Sequence, residues 1–420
     1  MIRPMIRPVS SLALAFALAA SLGSGAFAAA PKPDSKLLAA AKAAYDGELK
    51  LLEQIVNIDS GSGYVEGGEK VQAILAERLR ADGASVELVP AEAPGLPHNL
   101  VATFTGKGKG RVLLIGHIDT VYEIGEAARR PFRIDGGVAH GAGVMDEKGG
   151  VVSGVTALEL LKAVKFDNFA RVTLLIETSE ELGSTGTRNL INKLVREHDV
   201  ELNLEPEAKD TVTVWRKSSG NLVITVAGKP AHAGMEPQNG RNAAMELIHQ
   251  INQMNAAFPR SGDQITVNLT LLKAGSRSNI IPAKAEATMN VRGRTLEQMD
   301  EVGAQARLFA KATEIPGTRV EIAYDHSFPP LVQNDRVTSV AEKARQFQAE
   351  LGLPLVLGGN GGASESAMAD AAGTPALDGL GSTGAGAHTP DETIDLGSVT
   401  PRLYVLTRLI QAYGAHPGGK

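Results

Sequence analysis

The chain has 420 residues, of which 43% are hydrophobic and 21% are charged. This is the composition of a globular protein, and it excludes the disordered and collagen-like classes. The net charge is -5, with acidic and basic residues interspersed, so neither a nucleic-acid-binding surface nor a polybasic membrane anchor is indicated. The absence of cysteine excludes disulfides and thiolate ligands, so a bound metal must be held by histidines and carboxylates. We expect two domains, because a single core stops growing at about 250–300 residues.

The N-terminus has the pattern of a secretory signal peptide over residues 1–28. Two arginines precede the apolar run 12–22, and Ala-Phe-Ala at 26–28 is typical of a cleavage site. The run is shorter than the roughly 20 residues that cross a bilayer, so it does not predict a transmembrane helix. We therefore predict export, to the periplasm or the medium, of a chain that starts near Ala29 and has no membrane anchor. A repeated Met-Ile-Arg-Pro leaves a start at Met5 open.

The first half of the chain alternates between helical and strand patterns. Two amphipathic helices come first, and short apolar strands typical of a sheet buried on both faces follow them. The predicted segments are helices 36–56, 67–82 and 151–163 and strands 85–90, 112–116, 172–176 and 200–204. Strands that alternate with helices indicate βαβ units, so the predicted fold class is α/β with a mostly parallel sheet.

From about residue 219 the pattern changes to that of an α+β unit with antiparallel strands. Its predicted segments are strands 223–226, 265–271, 286–292 and 319–324 and helices 242–255 and 296–313. Further on we predict helix 339–350, a glycine-rich loop at 358–362 and helix 400–413. The chain therefore divides into a first domain in two pieces, 29–218 and 331–420, and an insert at 219–330.

A histidine and a carboxylate follow the first buried strand, at the edge where an open parallel sheet places its ligand crevice. His117 and Asp119 lie two residues apart in an extended segment, so their side chains point to the same side. Asp119 is therefore positioned to orient the imidazole of a zinc-bound His117. By itself the pair is a weak signal, because short motifs of this kind also occur without metal.

Further acidic residues and a second histidine follow at intervals. A glycine-rich segment presents Asp146, for which a helix N-cap is the simpler interpretation. The next apolar strand leads to Glu180 and Glu181, and adjacent carboxylates there are costly unless they are solvated, paired or bound to metal. Glu205 follows the fourth strand, and His388 lies in a loop far downstream. Each residue has an ordinary structural explanation, but the ordered set favours a metal site.

This ordered set resembles that of the M20 group of zinc metallopeptidases and amidohydrolases, especially its glutamate carboxypeptidase (carboxypeptidase G) branch. The resemblance extends from about residue 45 to the C-terminus. It implies a catalytic domain, formed by 29–218 and 331–420, that holds two zinc ions per subunit. The implied ligands are Asp146 as the bridge between both ions, His117 and Glu205 on one ion, and Glu181 and His388 on the other. Zinc accepts imidazole nitrogens and carboxylate oxygens of this kind.

The resemblance also implies which residues carry the reaction. Glu180 corresponds to the catalytic carboxylate, which takes a proton from water and passes it to the leaving amine. Asp119 corresponds to the residue that orients His117. The peptide bond between Asp146 and Glu147 is expected to be cis, as is common in the family.

The insert at 219–330 resembles the family's lid, which typically forms a homodimer. His232, in Lys-Pro-Ala-His-Ala-Gly, would reach the other subunit's site and stabilise the developing oxyanion. Asn279 and Arg292 match segments that hold the free α-carboxylate of the substrate, which a guanidinium can bind with two hydrogen bonds. Without the resemblance, His232 would be assigned to the surface and Arg292 to a strand-edge ion pair.

These inferences predict a zinc carboxypeptidase that releases a C-terminal amino acid from peptidyl or N-acyl substrates. In the family, Glu at the position of Glu205 accompanies carboxypeptidases and deacylases rather than aminopeptidases. Glutamate, as in folate-type compounds, is the residue released by the closest branch, and Lys209, Arg216 or Lys217 would have to supply a cation for its side chain. Two alternatives stay open, an N-acyl-amino-acid deacylase acting on another residue and a non-catalytic binding protein on the same scaffold.

Overall fold

The computed structural model describes residues 32–419, so the predicted signal peptide lies outside the described residues. The helices are α1 (Ser35–Val56), α2 (Val65–Ala81), α3 (Glu126–Arg129), α4 (Gly150–Ala163), α5 (Arg188–Glu197), α6 (Ala243–Ala257), α7 (Leu296–Phe309), α8 (Asp335–Glu350), α9 (Ser366–Ala371) and α10 (Val399–Ala415). Within 32–419, none of the helices combines the length and the hydropathy needed to cross a membrane.

The strands form one large sheet, one sheet in the insert and two small sheets. In chain order they are β1 (Ser85–Val89), β2 (Asn99–Thr105), β3 (Arg111–His117), β4 (Arg133–Asp135), β5 (Val138–His140), β6 (Arg171–Glu177), β7 (Val200–Asn203), β8 (Thr211–Arg216), β9 (Ser218–Ala227), β10 (Thr266–Ala274), β11 (Lys284–Gly293), β12 (Arg319–Phe328), β13 (Val356–Asn360), β14 (Ala376–Leu377), β15 (Gly384–Ala385) and β16 (Thr393–Asp395).

The large sheet has the strand order β1-β2-β6-β3-β7-β14. Its four strands from β6 to β14 pair in parallel, and β1 and β2 form an antiparallel edge. Alternate residues of β3 enter two cores: Leu114 packs in the core that includes α1, α4 and α10, whereas Leu113 and Ile115 pack in the core that includes α5 and α9. Helices on both faces explain the continuous apolar strands, and the predicted α/β class with a mainly parallel sheet is confirmed.

The insert forms its own four-stranded antiparallel sheet, in the order β10-β11-β9-β12. Helices α6 and α7 pack on this sheet around a hydrophobic core that is separate from those of the large sheet. Residues 219–330 are called the lid below, and the rest of the described chain is called the main domain. The separate core is consistent with the proposed division of the chain, although the boundaries themselves stay a prediction.

The prediction of a loop at 358–362 is wrong for its first half, which belongs to strand β13. Gly358 and Gly359 lie in β13, which pairs in parallel with β8. A Cβ atom on Gly359 would come within 2.4 Å of the ring and carbonyl oxygen of Trp215. Glycine at this position permits close packing against β8. The sequence alone does not distinguish a glycine needed for close packing from a glycine in a flexible loop.

Glu48 is a carboxyl group buried between α1 and α4. Ser153 Oγ donates a hydrogen bond of 2.6 Å to Glu48 Oε1, and Glu48 Oε2 has no hydrogen-bond partner in the described part of the chain. Burial raises the pKa of Glu48 to about 7, against the opposing effect of the Ser153 hydrogen bond. The folded chain therefore binds the Glu48 proton more tightly than the unfolded chain, so the stabilisation is complete below about pH 4.5 and is lost as the pH rises through about 7.

We expect Glu48→Gln to be stabilising at alkaline pH, because the amide cannot ionise. From pH 5 to pH 8, the difference in unfolding free energy between variant and wild type should move in the variant's favour by about 2–3 kcal/mol, since one pKa unit corresponds to about 1.4 kcal/mol. Denaturant unfolding at both pH values measures this difference. Glu53→Gln, an exposed change on the same helix, is the control and should show no such trend. An equal effect of Glu48→Gln at both pH values would contradict the expectation.

Candidate metal centre

The parallel strands deliver most of the predicted ligands to one edge of the large sheet. His117 ends β3, Glu180 and Glu181 follow β6, and Glu205 follows β7. Because the carboxyl ends of parallel strands meet at the same edge, residues far apart in sequence become neighbours there. Asp146 reaches this edge from a distorted helical turn before α4, and His388 reaches it from a loop.

The side chains form two adjacent groups that share Asp146. In the first, His117 Nε2 lies 3.2 Å from Asp146 Oδ1 and 3.6 Å from Glu205 Oε1. In the second, His388 Nε2 lies 3.1 Å from Asp146 Oδ2 and 3.2 Å from Glu181 Oε1. Asp146 therefore presents one carboxylate oxygen to each group, as a bridging ligand must. All five predicted ligands are brought together.

The geometry and chemistry of both groups fit divalent metal ions. Ligand atoms held tetrahedrally at about 2.0–2.1 Å from zinc are about 3.3 Å from one another, close to the separations seen here. His117 Nε2 and Glu181 Oε1 are buried, and neither has a hydrogen-bond partner among residues 32–419. His117 Nδ1 lies 2.9 Å from the carbonyl oxygen of Asp119, which assigns the proton to Nδ1 and leaves the Nε2 lone pair free for a metal.

Asp119 contacts both His117 and the turn that carries the two glutamates. It orients His117 mainly through its main-chain carbonyl, since its nearest carboxylate oxygen is 3.5 Å from Nδ1. The carboxylate instead accepts hydrogen bonds from the backbone N–H groups of Glu180 (3.1 Å) and Glu181 (3.3 Å) and from Ser62 Oγ (2.6 Å). Asp119 thus fixes both the histidine and the turn that carries the two glutamates.

Two acidic residues at the site were given no role by sequence reasoning. Glu147 is fully buried, accepts a hydrogen bond of 2.8 Å from the backbone N–H of His117 and lies within ligand distance of the first group. The Asp146-Glu147 peptide bond is cis, as predicted. Glu392 accepts hydrogen bonds of 2.9 Å from the backbone N–H groups of Gly143, Met145 and Asp146. Nothing in the sequence marks Glu392, because its partners lie more than 240 residues earlier.

The close packing of acids and histidines changes their protonation. Burial raises the pKa of Asp146, but the adjacent His117 and His388 side chains outweigh it and hold that pKa below its usual range. The carboxylates of Asp146 and Glu181, 3.1 and 3.2 Å from its Nε2, raise the pKa of His388 to about 10. Burial raises the pKa of Glu205 to about 7. Without metal His388, and in part Glu205, retain protons at neutral pH, which a metal ion would displace on binding.

A cavity of about 370 Å³ lies over the two groups, between the main domain and the lid. Glu180 lines it, with Oε2 4.0 Å from His117 Nε2, and burial raises the pKa of Glu180 well above its ordinary value. Arg292 enters it from β11, and its Nε donates a hydrogen bond of 2.9 Å to Asn290 Oδ1. Among residues 32–419 no carboxylate forms an ion pair with Arg292, so its guanidinium is free to bind an anion.

The structure does not bring His232 or Asn279 to the cavity of their own chain. Both are exposed on the lid and neither lines the cavity. His232 Nδ1 accepts hydrogen bonds from the backbone N–H groups of Gly234 (3.2 Å) and Met235 (3.1 Å). The proton is thereby assigned to Nε2, which is a free donor.

Of the three cations considered for a glutamate side chain, only Arg216 lines the cavity. Its guanidinium is already bound by Asp378, with contacts of 2.6 and 2.7 Å, and by Glu205 at 3.3 Å. Lys209 pairs with Asp395 at the surface, and Lys217 donates to the carbonyl oxygen of Gly262. The charge of Arg216 is therefore largely neutralised.

A parallel sheet that places two histidines and a shared carboxylate at its edge defines a metallohydrolase. Residues 113–412 match peptidase family M20/M25/M40, and the chain belongs to this family, as its motifs predicted. It is 32% identical over 416 residues to carboxypeptidase G2 of Pseudomonas sp. (strain RS-16), covering 98% of this chain and 100% of that protein. It is 29% identical over 371 residues to succinyl-diaminopimelate desuccinylase of Methylobacterium sp. (strain 4-46), covering 83% and 91% of the two chains.

The fold matches solved structures of the same family. An M20 family metallo-carboxypeptidase from Sulfolobus solfataricus superposes with a TM-score of 0.72 at 18% identity, over 87% of this chain and 99% of that one. The protein is therefore a hydrolase of the M20 metallopeptidase and amidohydrolase family.

Proposed function

We propose that the protein is a two-zinc carboxypeptidase that hydrolyses the amide bond to a C-terminal amino acid. One observation carries the proposal: a single cavity is lined by members of both ligand groups, by Glu180 and by Arg292, whose guanidinium forms no ion pair within residues 32–419. The ligand groups and Glu180 are the parts needed for metal-assisted hydrolysis, and Arg292 adds a site for a free carboxylate at a fixed distance from them.

Each side chain has a defined task in this reaction. His117, Asp146 and Glu205 would hold one zinc ion and Asp146, Glu181 and His388 the other, and such ions polarise the scissile carbonyl and acidify water. Arg292 binds the α-carboxylate through paired hydrogen bonds and so positions the amide over the ligand groups. Glu180 accepts the proton of the attacking water and donates it to the leaving amine nitrogen.

The proposal includes a homodimer, in which His232 of the partner subunit completes the site. The free Nε2–H of His232 is a suitable donor to the carbonyl oxygen, where negative charge develops. Large apolar side chains are exposed on α6 and on the edge strand β10, which favours burial against a second copy. They are Met245, Ile248, Leu269, Leu271 and Leu272. Export to the periplasm or medium remains part of the proposal on the N-terminal sequence alone.

The residue released is proposed to be glutamate, by the resemblance to the glutamate carboxypeptidase branch, with Arg216, which lines the cavity, as the candidate cation for its side chain. A second candidate, deacylation of N-acyl amino acids with uncharged side chains, is favoured by the neutralisation of Arg216 by Asp378 and Glu205. Both candidates use the same chemistry and differ only in the side chain that the 370 Å³ cavity accepts.

Amino-acid release from folate-type, N-benzoyl and dipeptide substrates, with and without chelator, tests the proposal. We expect chelator-sensitive release of the C-terminal residue, together with two zinc ions per chain after dialysis. Glutamate released faster than neutral residues from matched acyl groups supports the first candidate, and the reverse order supports the second. Zinc-loaded protein that turns over none of these substrates would instead be a binding protein.

A further inference from the structure

A second cavity of about 780 Å³ lies beside the ligand groups, entirely on the main domain. It is formed by residues 61–64, residues 120–124 and the turn that carries Glu181 and Leu182. Glu181 and Leu182 also line the cavity that contains Arg292, so the two spaces adjoin each other at this turn. This second space is called the acyl groove below.

The surface of the acyl groove is apolar. Val121, Ile124 and Leu182 are 46%, 62% and 48% exposed, and Tyr64 and Tyr122 complete the lining. Large apolar side chains clustered beside a reaction site are typical of a surface that a ligand covers. The volume is in the range of small-molecule sites.

Hydrogen bonds hold the walls of the groove in place. The Asp59 carboxylate accepts bonds of 2.8 Å from the N–H groups of Gly125 and Ala127, directly beyond the wall formed by 120–124. Tyr122 donates from its hydroxyl to the carbonyl oxygen of Thr389, 2.8 Å away. At Gly61 a Cβ atom would lie 2.1 Å from the carbonyl oxygen of Tyr122, so only glycine allows the two walls to approach this closely. The groove is therefore preformed.

The charge of the groove excludes ligands that carry a carboxylate. Its charged lining residues are Glu123 and Glu181, and no lysine, arginine or histidine of the described chain lines it. Arg130 lies behind it, with its guanidinium 4.5 Å from the centre of the Tyr122 ring. That guanidinium is engaged by Glu126 and by carbonyl oxygens of the loop after His388. A carboxylate inside the groove would therefore lie beside Glu123 without a cationic side chain of the groove to compensate its charge.

The groove lies on the main domain and adjoins Glu181 of the second ligand group, whereas Arg292 enters the cavity from the lid. Arg292 lines the cavity together with Arg216 and Glu205, and Arg216 contacts Glu205. Glu205 belongs to the first ligand group, which contacts the second group through Asp146. The second group includes Glu181, which forms part of the wall of the groove. A substrate with its α-carboxylate on Arg292 and its amide over the ligand groups extends its acyl part toward the groove.

We infer that the acyl groove binds the acyl part of the substrate and selects uncharged, apolar or aromatic acyl groups over acidic ones. The inference rests on the proposed function, because it assumes that Arg292 holds the opposite end of the substrate. It adds a specificity site that is independent of which amino acid is released.

The test compares N-benzoyl and N-succinyl derivatives of one amino acid in wild type and in Ile124→Lys. Wild type should hydrolyse the benzoyl compound with a kcat/KM at least tenfold higher. The lysine places a cation in the groove, so the benzoyl-to-succinyl ratio should fall at least tenfold. Leu308→Lys, the same type of change at an exposed leucine on α7, is the control and should keep the wild-type ratio. Calorimetry with Glu180→Gln, and with this change combined with Ile124→Lys, should show the same change of preference in Kd without turnover.

The outcomes separate the inference from the proposed function. Hydrolysis of both compounds with equal ratios in wild type and Ile124→Lys would overturn the inference and leave the carboxypeptidase proposal standing. A wild-type preference for the succinyl compound would overturn it as well. A failure to hydrolyse any N-acyl amino acid would overturn the proposed function and the inference together.

Discussion

Glu180→Gln is expected to reduce kcat by about 10²–10⁴-fold, the range that general acid–base catalysis contributes. Glutamine keeps the shape of the side chain but cannot accept a proton from water. Glu180 lines the cavity and stands 4.0 Å from His117, next to the ligand groups but outside both of them. Metal content and substrate Kd should therefore stay close to those of wild type.

The measurements are amino-acid release for kcat, mass spectrometry for metal content and calorimetry for Kd. Glu301→Gln, the same substitution at an exposed glutamate of the lid, is the control and should keep full activity. Loss of metal in Glu180→Gln would show that this residue is a ligand rather than the base. Retention of more than a tenth of the wild-type kcat would place the base elsewhere.

His232→Ala is expected to lower kcat by about 10²–10³-fold, as the loss of one oxyanion donor does in other hydrolases. His232 is exposed and lies away from the cavity of its own chain. The expected loss of activity therefore requires that His232 acts at the site of a second copy.

Mixing the two inactive variants tests this directly. In a mixed dimer of His232→Ala and Glu180→Gln, one site has an intact Glu180 and receives an intact His232 from the partner subunit. For a two-fold dimer mixed at random, about one quarter of all sites regain activity. A mixture that stays inactive, or a His232→Ala variant with full activity, would contradict the role in trans. His249→Ala, at a lid histidine paired with Glu314, is the control.

The candidate ligands could be singled out in the sequence because each lies at the end of an apolar strand or in a glycine-containing loop. His117 and Glu205 follow strands whose continuous hydrophobicity identifies a sheet buried on both faces. An ionisable group at the end of a buried strand needs a partner, and this requirement made both residues candidates for metal binding. The spatial grouping then follows from parallel pairing, which brings these strand ends to one edge.

Other features of the site depend on contacts between distant segments. Glu392 holds the Asp146 turn through three backbone N–H groups, and no local pattern marks a glutamate for that task. Arg216 was one of three candidate cations, and only its buried pairing with Asp378 shows that its charge is offset. Asp119 was predicted to orient His117, but spacing in the sequence does not show that its main-chain carbonyl makes the shorter contact.

Sequence by itself determined the fold class, through local periodicity and burial, and the family, through the resemblance of its ordered motifs. The five ligands and the base are predictions that the same resemblance implies. Only the tertiary structure decided that Asp146 faces both groups, that Arg292 forms no ion pair within residues 32–419 while Arg216 is neutralised, and that a largely apolar groove, lined by no cationic side chain of the described residues, adjoins Glu181. Charge compensation and cavity shape arise from packing between segments far apart in the chain, and no short stretch of sequence encodes them.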